Sequence, residues 1–195
     1  MVGKMALFLL FITSLSNSSS ASGLWPDVDI NDPNLTVNLA AQQCSKSLMY
    51  APYKLEQWCE KAYNMGSWHS LLYIGYHTGD GSRYVEEAIN QVRQGNFEAI
   101  SELAWIYSTG SFVEIDLNKS IILYNQYLNH ENRKSISRGK LNSVHKELYN
   151  IYKELENWRK ASEHLQFLIE HEDDAIYKSL LIKQMEDIKK TLNSK

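Results

Sequence analysis

The stretch Trp58-Cys59-Glu60-Lys61-Ala62-Tyr63-Asn64-Met65-Gly66 decides the fold class of this chain. Its pattern is typical of a helix end, because Ala62 is small enough to let another element pack closely and Gly66 follows the last turn. Glycine adopts the positive φ that closes a helix without a steric cost. The stretch therefore predicts a helix that ends just before Gly66 and turns back as part of a helical hairpin.

The same pattern recurs further along the chain. Residues 66–81 align with residues 95–110, which pairs Gly66 with Gly95, Ser70 with Ala99, Ile74 with Leu103, Gly75 with Ala104 and Gly81 with Gly110. Each copy contains a glycine, a helix with Ala or Ser, a Leu or Ile followed by a tiny residue, and a glycine expected to end the helix. The tiny residue predicts close approach of a second helix.

The second helices of the hairpins also align with one another. Residues 54–66 match residues 119–131, which places Leu55, Trp58 and Cys59 opposite Ser120, Leu123 and Tyr124. Between them, residues 85–92 predict a shorter second helix. A further copy spans residues 143–171, with Asn157 in its turn. The polar, basic stretch 129–141 could interrupt the stack, so three or four repeats are expected.

The segments that flank the repeats have different compositions. Residues 23–36 are rich in Asp, Asn and Pro, which predicts an extended or turn-like lead-in. Residues 37–174 form the predicted helical repeat domain. Residues 175–195 are predicted to form a C-terminal capping helix and tail, with Leu181, Met185, Ile188 and Leu192 on one apolar stripe and a charged outer face.

The first 22 residues resemble a secretory signal peptide. Lys4 provides a positive start, residues 5–12 are an unbroken apolar run, and small polar residues follow up to Ser22. The alternative is a buried N-terminal helix. No later stretch is apolar enough to predict a membrane helix. We therefore expect a periplasmic or secreted protein after cleavage.

The chain contains two cysteines, Cys44 and Cys59. An even cysteine count in an exported chain favours a disulfide, and the alternative is two buried free thiols. Both positions face inward in the predicted first hairpin, so a bond between its two helices is plausible. No metal site is expected at this pair, because no histidine lies between the two cysteines or close to them.

Residues 103–110 carry Leu-Ala-x-x-Tyr-x-x-Gly, with Ala99 before it, and this motif resembles the Sel-one-like repeat, a relative of the tetratricopeptide repeat. Residues 58–66 are similar to the end of that repeat, and residues 148–168 look like a plain tetratricopeptide repeat. Thr78 departs from the motif, which has Tyr there. The resemblance covers residues 37–171 and implies an all-α fold, a short α-solenoid of stacked antiparallel helical hairpins, of an exported bacterial type.

Signals of catalysis or of bound cofactors are weak. The formal net charge is −3, which disfavours nucleic acid as a partner. His69 and His77 lack a third ligand, and the Gly-rich residues 79–82 lack the lysine of a phosphate-binding loop. We therefore predict no catalytic residue, no metal site and no cofactor.

The strongest functional candidates lie on the concave face that first helices line in stacked hairpins. Counting two residues either side of the Leu-like position selects His69, Leu72 and Tyr76, then Ser101 and Trp105, then Lys146 and Asn150, together with Gln42 and Lys46 of the first hairpin. Aromatic residues in a groove suit a protein partner. The alternative is that Tyr76 and Trp105 pack between adjacent first helices.

These observations favour a non-enzymatic module that binds another protein. One concrete version is an immunity protein that neutralises a toxin effector delivered by type VI secretion. An envelope regulator or an adaptor scaffold that binds an envelope protein would look the same. A weak β-lactam-binding hydrolase is a further alternative, because some cysteine-containing Sel-one-like proteins have been linked to that activity.

Overall fold

A computed structural model describes residues 28–193, and this part of the chain is all-α with no β-strand. The predicted signal peptide, residues 1–22, lies outside the described residues. The nine helices are α1 (Val37–Tyr50), α2 (Leu55–Asn64), α3 (Ser70–Thr78), α4 (Ser82–Arg93), α5 (Phe97–Thr109), α6 (Leu117–Asn129), α7 (Arg138–Glu154), α8 (Trp158–Glu170) and α9 (Ala175–Asn193). Short 3-10 turns cover Pro52–Lys54 and Glu131–Ser135. The all-α prediction is confirmed.

The helices pack against their neighbours in chain order. The most extensive contacts join α1 to α2, α5 to α6 and α7 to α8. Contacts of α2 with α3, α3 with α4, α4 with α5, and α6 with α7 link these pairs, and α9 packs on α8. Helix α1 also touches α3. Adjacent pairing of this kind is what short connections between helices favour.

The core consists of three clusters that share helices. Helix α5 contributes Leu103 to the first cluster, under α1 to α4, and Ala104 to the second. Helix α7 contributes Leu148 to the second cluster and Tyr149 to the third, under α8 and α9. Because α5 and α7 each contribute buried residues to two clusters, these two helices join the three clusters.

Glycines with positive φ end several of the helices, as expected for Gly66 (φ 105°), Gly95 (φ 82°) and Gly110 (φ 69°). The prediction that Gly81 ends α3 is wrong, because Gly79 (φ 80°) closes the helix through its N–H to the carbonyl of Gly75. Gly81 has φ −99° and precedes α4. Helix α4 therefore starts at Ser82, earlier than predicted, and is longer than the second helix α2, so the prediction of a shorter second helix at residues 85–92 is also wrong.

The tiny residues of the two copies are buried, but they meet different neighbours. Ala104 packs in the second cluster with residues of α6 and α7. At Gly75, an added Cβ would lie 2.9 Å from Gly81 Cα and 2.9 Å from Phe112 Cζ. The close neighbours of Gly75 are therefore the backbone of Gly81, which caps the start of the second helix α4, and the ring of Phe112, an aromatic residue of the loop after α5 that the sequence did not predict there.

Polar side chains define several helix starts. Thr36 Oγ1 accepts a hydrogen bond from Leu39 N at 3.2 Å and so caps α1. Before it, Asp29 and Asp32 accept from the backbone N–H groups of Asn31 and Asn34 in turns. Asn157 Oδ1 accepts from Lys160 N at 3.2 Å, so the residue predicted in a turn caps α8.

The stretch 129–141 does not separate α6 from α7. Ile136 follows the second 3-10 turn and is buried in the second cluster with Tyr127 and Val144. Ser137 then caps α7, which begins at Arg138, before the predicted residue 143.

Helix α9 packs as a terminal helix but with a different outer face from the predicted one. Leu181, Met185 and Ile188 are buried against α8, whereas Leu192 is 43% exposed. The outer face is not uniformly charged, because Ile176, Leu180 and Ile182 are also exposed. The predicted stripe is therefore correct for three of its four residues.

Cys44 of α1 and Cys59 of α2 form a disulfide with an S–S distance of 2.10 Å. Both residues are fully buried in the first core cluster. The predicted bond across the first helix pair is confirmed.

Candidate functional site

A cleft of about 340 Å³ opens between α5 and α7. Its lining consists of Leu72 from α3, Ser101, Glu102 and Trp105 from α5, Tyr124 from α6, and Lys140, Ser143, Val144 and Glu147 from α7. Four helices that are separate in sequence therefore contribute to one concave surface. The volume lies at the lower end of the range found for ligand pockets.

The helical repeat of α5 and α7 explains this lining. Glu102 and Trp105 stand on the side of α5 that is turned away from buried Leu103 and Ala104. On α7, lining residues recur at intervals of three and four, from Lys140 through Val144 to Glu147, which is one stripe of a helix. The two stripes meet where Lys140 of α7 contacts Glu102 of α5.

The cleft has a mixed apolar and acidic surface. Lys140 Nζ lies 3.2 Å from Glu102 Oε1, and both side chains are about one-third exposed or less. Glu147 is half-buried and has no ion-pair partner among residues 28–193. One lysine and two carboxylates leave the cleft with a net negative charge.

Two ionisable side chains near these carboxylates, Tyr124 and His69, have shifted pKa values. Burial raises the pKa of the Tyr124 phenol above its ordinary value, and the nearby Glu147 carboxylate raises it further. Desolvation lowers the pKa of His69, while the charge of Glu102 opposes that change. Glu102 and Glu147 therefore set the electrostatic character of the cleft from both sides.

Three of the predicted partner-binding residues meet in the cleft, namely Leu72, Ser101 and Trp105. Ser101 is only 2% exposed, and its hydroxyl donates to the Glu98 carbonyl at 2.9 Å, so it forms part of the wall. Trp105 is partly buried against the first core cluster and also lines the cleft. Trp105 therefore packs on the core and also contributes to the surface of the cleft.

The structure does not bring the other four predicted residues into this cleft. His69 lines a smaller cleft of about 230 Å³ between α1 and α3, together with Gln42. Tyr76 is 49% exposed, and its ring packs on Phe112 with 5.4 Å between centroids. Lys146 and Asn150 are exposed on α7 outside the lining stripe.

The charged lining residues Glu102, Lys140 and Glu147 were not among the residues predicted from the sequence. Glu102 follows a predicted concave residue directly, so a wider stripe on α5 would have included it. Lys140 lies in a stretch expected to interrupt the stack. The Lys140–Val144–Glu147 spacing is itself the helical signal that could have identified this side of α7.

A second polar cluster lies between α7 and α8. His145 Nδ1 and His164 Nδ1 are 3.0 Å apart, and the His145 ring stacks on Phe167 with centroids 3.6 Å apart. Burial, aided by the charges of His164, His171 and Arg133, lowers the pKa of His145 to about 4. The pair is therefore neutral at physiological pH.

Residues 28–193 contain no group of three or more His, Cys, Asp or Glu side chains placed to bind a metal ion. In the same part of the chain, none of the helices combines the length and the apolar character needed to cross a bilayer.

Comparison with family models, with curated proteins and with solved structures finds no match to this chain. The class of protein is therefore defined here by its own geometry, an all-helical chain with a concave, partly aromatic and acidic cleft.

Proposed function

We propose that this protein is a non-enzymatic binding module that holds another protein in the cleft between α5 and α7. The observation that carries the proposal is the convergence of Leu72, Trp105 and Val144 with Glu102 and Glu147 on one concave surface. A partly exposed tryptophan bordered by polar groups is typical of the anchors of protein interfaces. Such a concave surface suits a protruding segment of a partner protein better than it suits a flat protein surface.

We also propose that the paired helices are repeats of the Sel-one-like type and form a short solenoid. The proposal is supported by the recurrence of positive-φ glycines at Gly66, Gly95 and Gly110 and by the burial of Gly75 and Ala104 at equivalent positions. In such a stack each pair of helices buries the apolar side of its neighbour. The cleft would then lie on the face formed by first helices.

The proposed location is the periplasm or the exterior of the cell. The disulfide between Cys44 and Cys59 supports an oxidising compartment, since such bonds are rare in the cytosol. The signal-like residues 1–22 agree with this location. An immunity protein against a toxin effector is one version of the proposal, supported by the compact acidic chain, and an envelope regulator or adaptor is the alternative within the same class.

Site-specific crosslinking tests the binding site. A photo-reactive benzoylphenylalanine is placed at Ser143, an exposed position on the cleft, and at Glu86, an exposed position on α4 that lies outside the cleft. The protein is expressed with residues 1–22 intact and irradiated in cells. We expect one discrete adduct with a second protein from Ser143 and none from Glu86. Equal adducts from both positions, or an adduct from Glu86 alone, would contradict the proposed site.

A further inference from the structure

We infer that the cleft between α5 and α7 receives an arginine side chain of the partner protein, with its guanidinium held between Trp105 and Glu147. This inference rests on the proposed function and names the chemistry that the partner must present. Two observations support it, namely the arrangement of charges in the cleft and the absence of a cation or a stacked ring on Trp105 within the described residues.

The charge arrangement leaves one carboxylate without a partner. Lys140 already pairs with Glu102 at 3.2 Å, so the only lysine of the lining is occupied. Glu147 forms no salt bridge with any of residues 28–193, although the residue is half-buried. A carboxylate that loses its water when a partner docks needs a compensating positive charge. The incoming group is therefore cationic.

The ring of Trp105 is also unpartnered within the described residues. Four tyrosine rings of the protein have a Lys or Arg cation within 6 Å, and these are Tyr53, Tyr63, Tyr107 and Tyr149. Trp105 has neither a cation nor a stacked ring on it, in spite of its position in a cleft with a negative charge. Tryptophan is the aromatic side chain that attracts cations most strongly.

Arginine fits these two groups better than lysine does. The planar guanidinium stacks on an aromatic face and at the same time donates two parallel hydrogen bonds to one carboxylate. A lysine ammonium is a compact, strongly hydrated point charge that cannot do both. Leu72, which is partly exposed, offers apolar surface that the methylene stem of arginine covers, and buried Val144 lies in the wall of the cleft.

Titration with small probes tests this inference without the partner. The purified protein is titrated with Nα-acetyl-arginine methylamide, the matching lysine compound and the matching citrulline compound, which keeps the shape of arginine without its charge. The indole N–H signal of Trp105 is followed by NMR, after assignment with Trp105→Phe. We expect saturable shifts with arginine, at least about threefold weaker binding of lysine, and no saturable shift with citrulline.

Two variants locate the charge that is responsible. Glu147→Gln should weaken binding of the arginine probe by about tenfold, whereas Glu86→Gln, at an exposed carboxylate of α4 away from the cleft, should leave it unchanged. Equal affinity of citrulline and arginine, or unchanged binding to Glu147→Gln, would overturn the inference. If the inference fails but Ser143 still crosslinks to a partner protein, the proposed function remains supported. Failure of the arginine inference is therefore distinguishable from failure of the proposed function.

Discussion

The ring of Phe112 lies directly on the backbone of Gly81. A Cβ added at Gly81 would be 2.1 Å from Phe112 Cγ and 2.1 Å from Cδ2, which is far inside van der Waals contact. Phe112 itself has φ 64°, an uncommon value for a residue with a side chain. The loop between α5 and α6 therefore depends on the absence of a side chain at the start of α4.

Gly81→Ala should destabilise the protein by about 2 kcal/mol, because the phenyl ring must leave its place. In a Phe112→Ala background the same substitution should cost less than about 0.5 kcal/mol, since the clash is removed. Urea unfolding of the wild type, both single variants and the double variant measures the coupling. An equal cost of Gly81→Ala in both backgrounds would show that the two residues do not contact each other.

Two glycines allow the same substitution to be compared in opposite environments. Gly110 ends α5 at φ 69°, and an added Cβ would lie 2.7 Å from Ile115 Cγ1. Gly139 lies in the first turn of α7, and an added Cβ there would meet no atom within 4 Å beyond its chain neighbours and the adjacent backbone of α7. Gly110→Ala should destabilise by about 1 to 2 kcal/mol. Gly139→Ala should be neutral or stabilise by about 0.5 kcal/mol.

Thermal unfolding of these two variants under identical conditions checks the comparison. A melting temperature of Gly110→Ala equal to that of the wild type would contradict the assignment of Gly110 as the helix stop.

The disulfide should contribute to stability through the unfolded state. Cys44 and Cys59 are separated by 15 residues, and closing a loop of that size stabilises by about 3 kcal/mol in the chain-entropy model. Replacing both cysteines with alanine should therefore lower the melting temperature by roughly 6 to 12 °C for a chain of this size. Ellman titration of the unfolded, unreduced protein should detect no free thiol, and two thiols per chain would refute the bond.

Acid should weaken the contact between α7 and α8. Burial lowers the pKa of His145 to about 4, and desolvation lowers that of His164, relative to 6.5 for a free histidine. As the pH falls, the unfolded chain takes up these protons first. The contribution of these two neutral histidines to the free energy of unfolding is thus complete above about pH 6.5. It is lost progressively as the pH falls to about 4. We expect His145 to account for about 2 kcal/mol of this loss, less than the full shift because the ring is partly exposed.

The measurement is urea unfolding at neutral pH and at about pH 4 for the wild type, His145→Gln and a control, His77→Gln, whose side chain is exposed on α3. The stability of His145→Gln should fall less with acid than that of the other two proteins. A parallel fall in all three would assign the acid sensitivity to other groups.

The sequence predicted local features better than long-range ones. Gly66, Gly95 and Gly110 were identifiable because positive φ after a helix strongly selects glycine. The cysteine pair followed from the hairpin geometry and the even count. The choice between Gly79 and Gly81 failed because the sequence contains two glycines within three residues, and the contact with Phe112 that requires Gly81 lies far along the chain.

The candidate site was predicted on α5 and missed on α7. Counting two residues either side of Leu103 selected Ser101 and Trp105 correctly as lining residues. The same count around Leu148 selected Lys146 and Asn150, whereas the side of α7 that faces α5 begins at Lys140. The count failed on α7 because the lining residues Val144 and Glu147 lie four positions and one position before Leu148, and not two. In addition, α7 starts five residues earlier than predicted, and Lys140 in this added part contacts Glu102 of α5.

The most direct test of the account compares two variants, each of which lacks one aromatic side chain. Their affinities for the partner protein identified by crosslinking are measured. Trp105→Ala alters the cleft, whereas Tyr53→Ala removes a side chain that is 84% exposed near the start of α2 and lies outside the cleft. By isothermal titration, Trp105→Ala should weaken binding by at least about 30-fold, as expected for an interface anchor, and Tyr53→Ala should leave it unchanged. Full affinity of Trp105→Ala together with a loss in Tyr53→Ala would place the interface elsewhere and contradict the central claim.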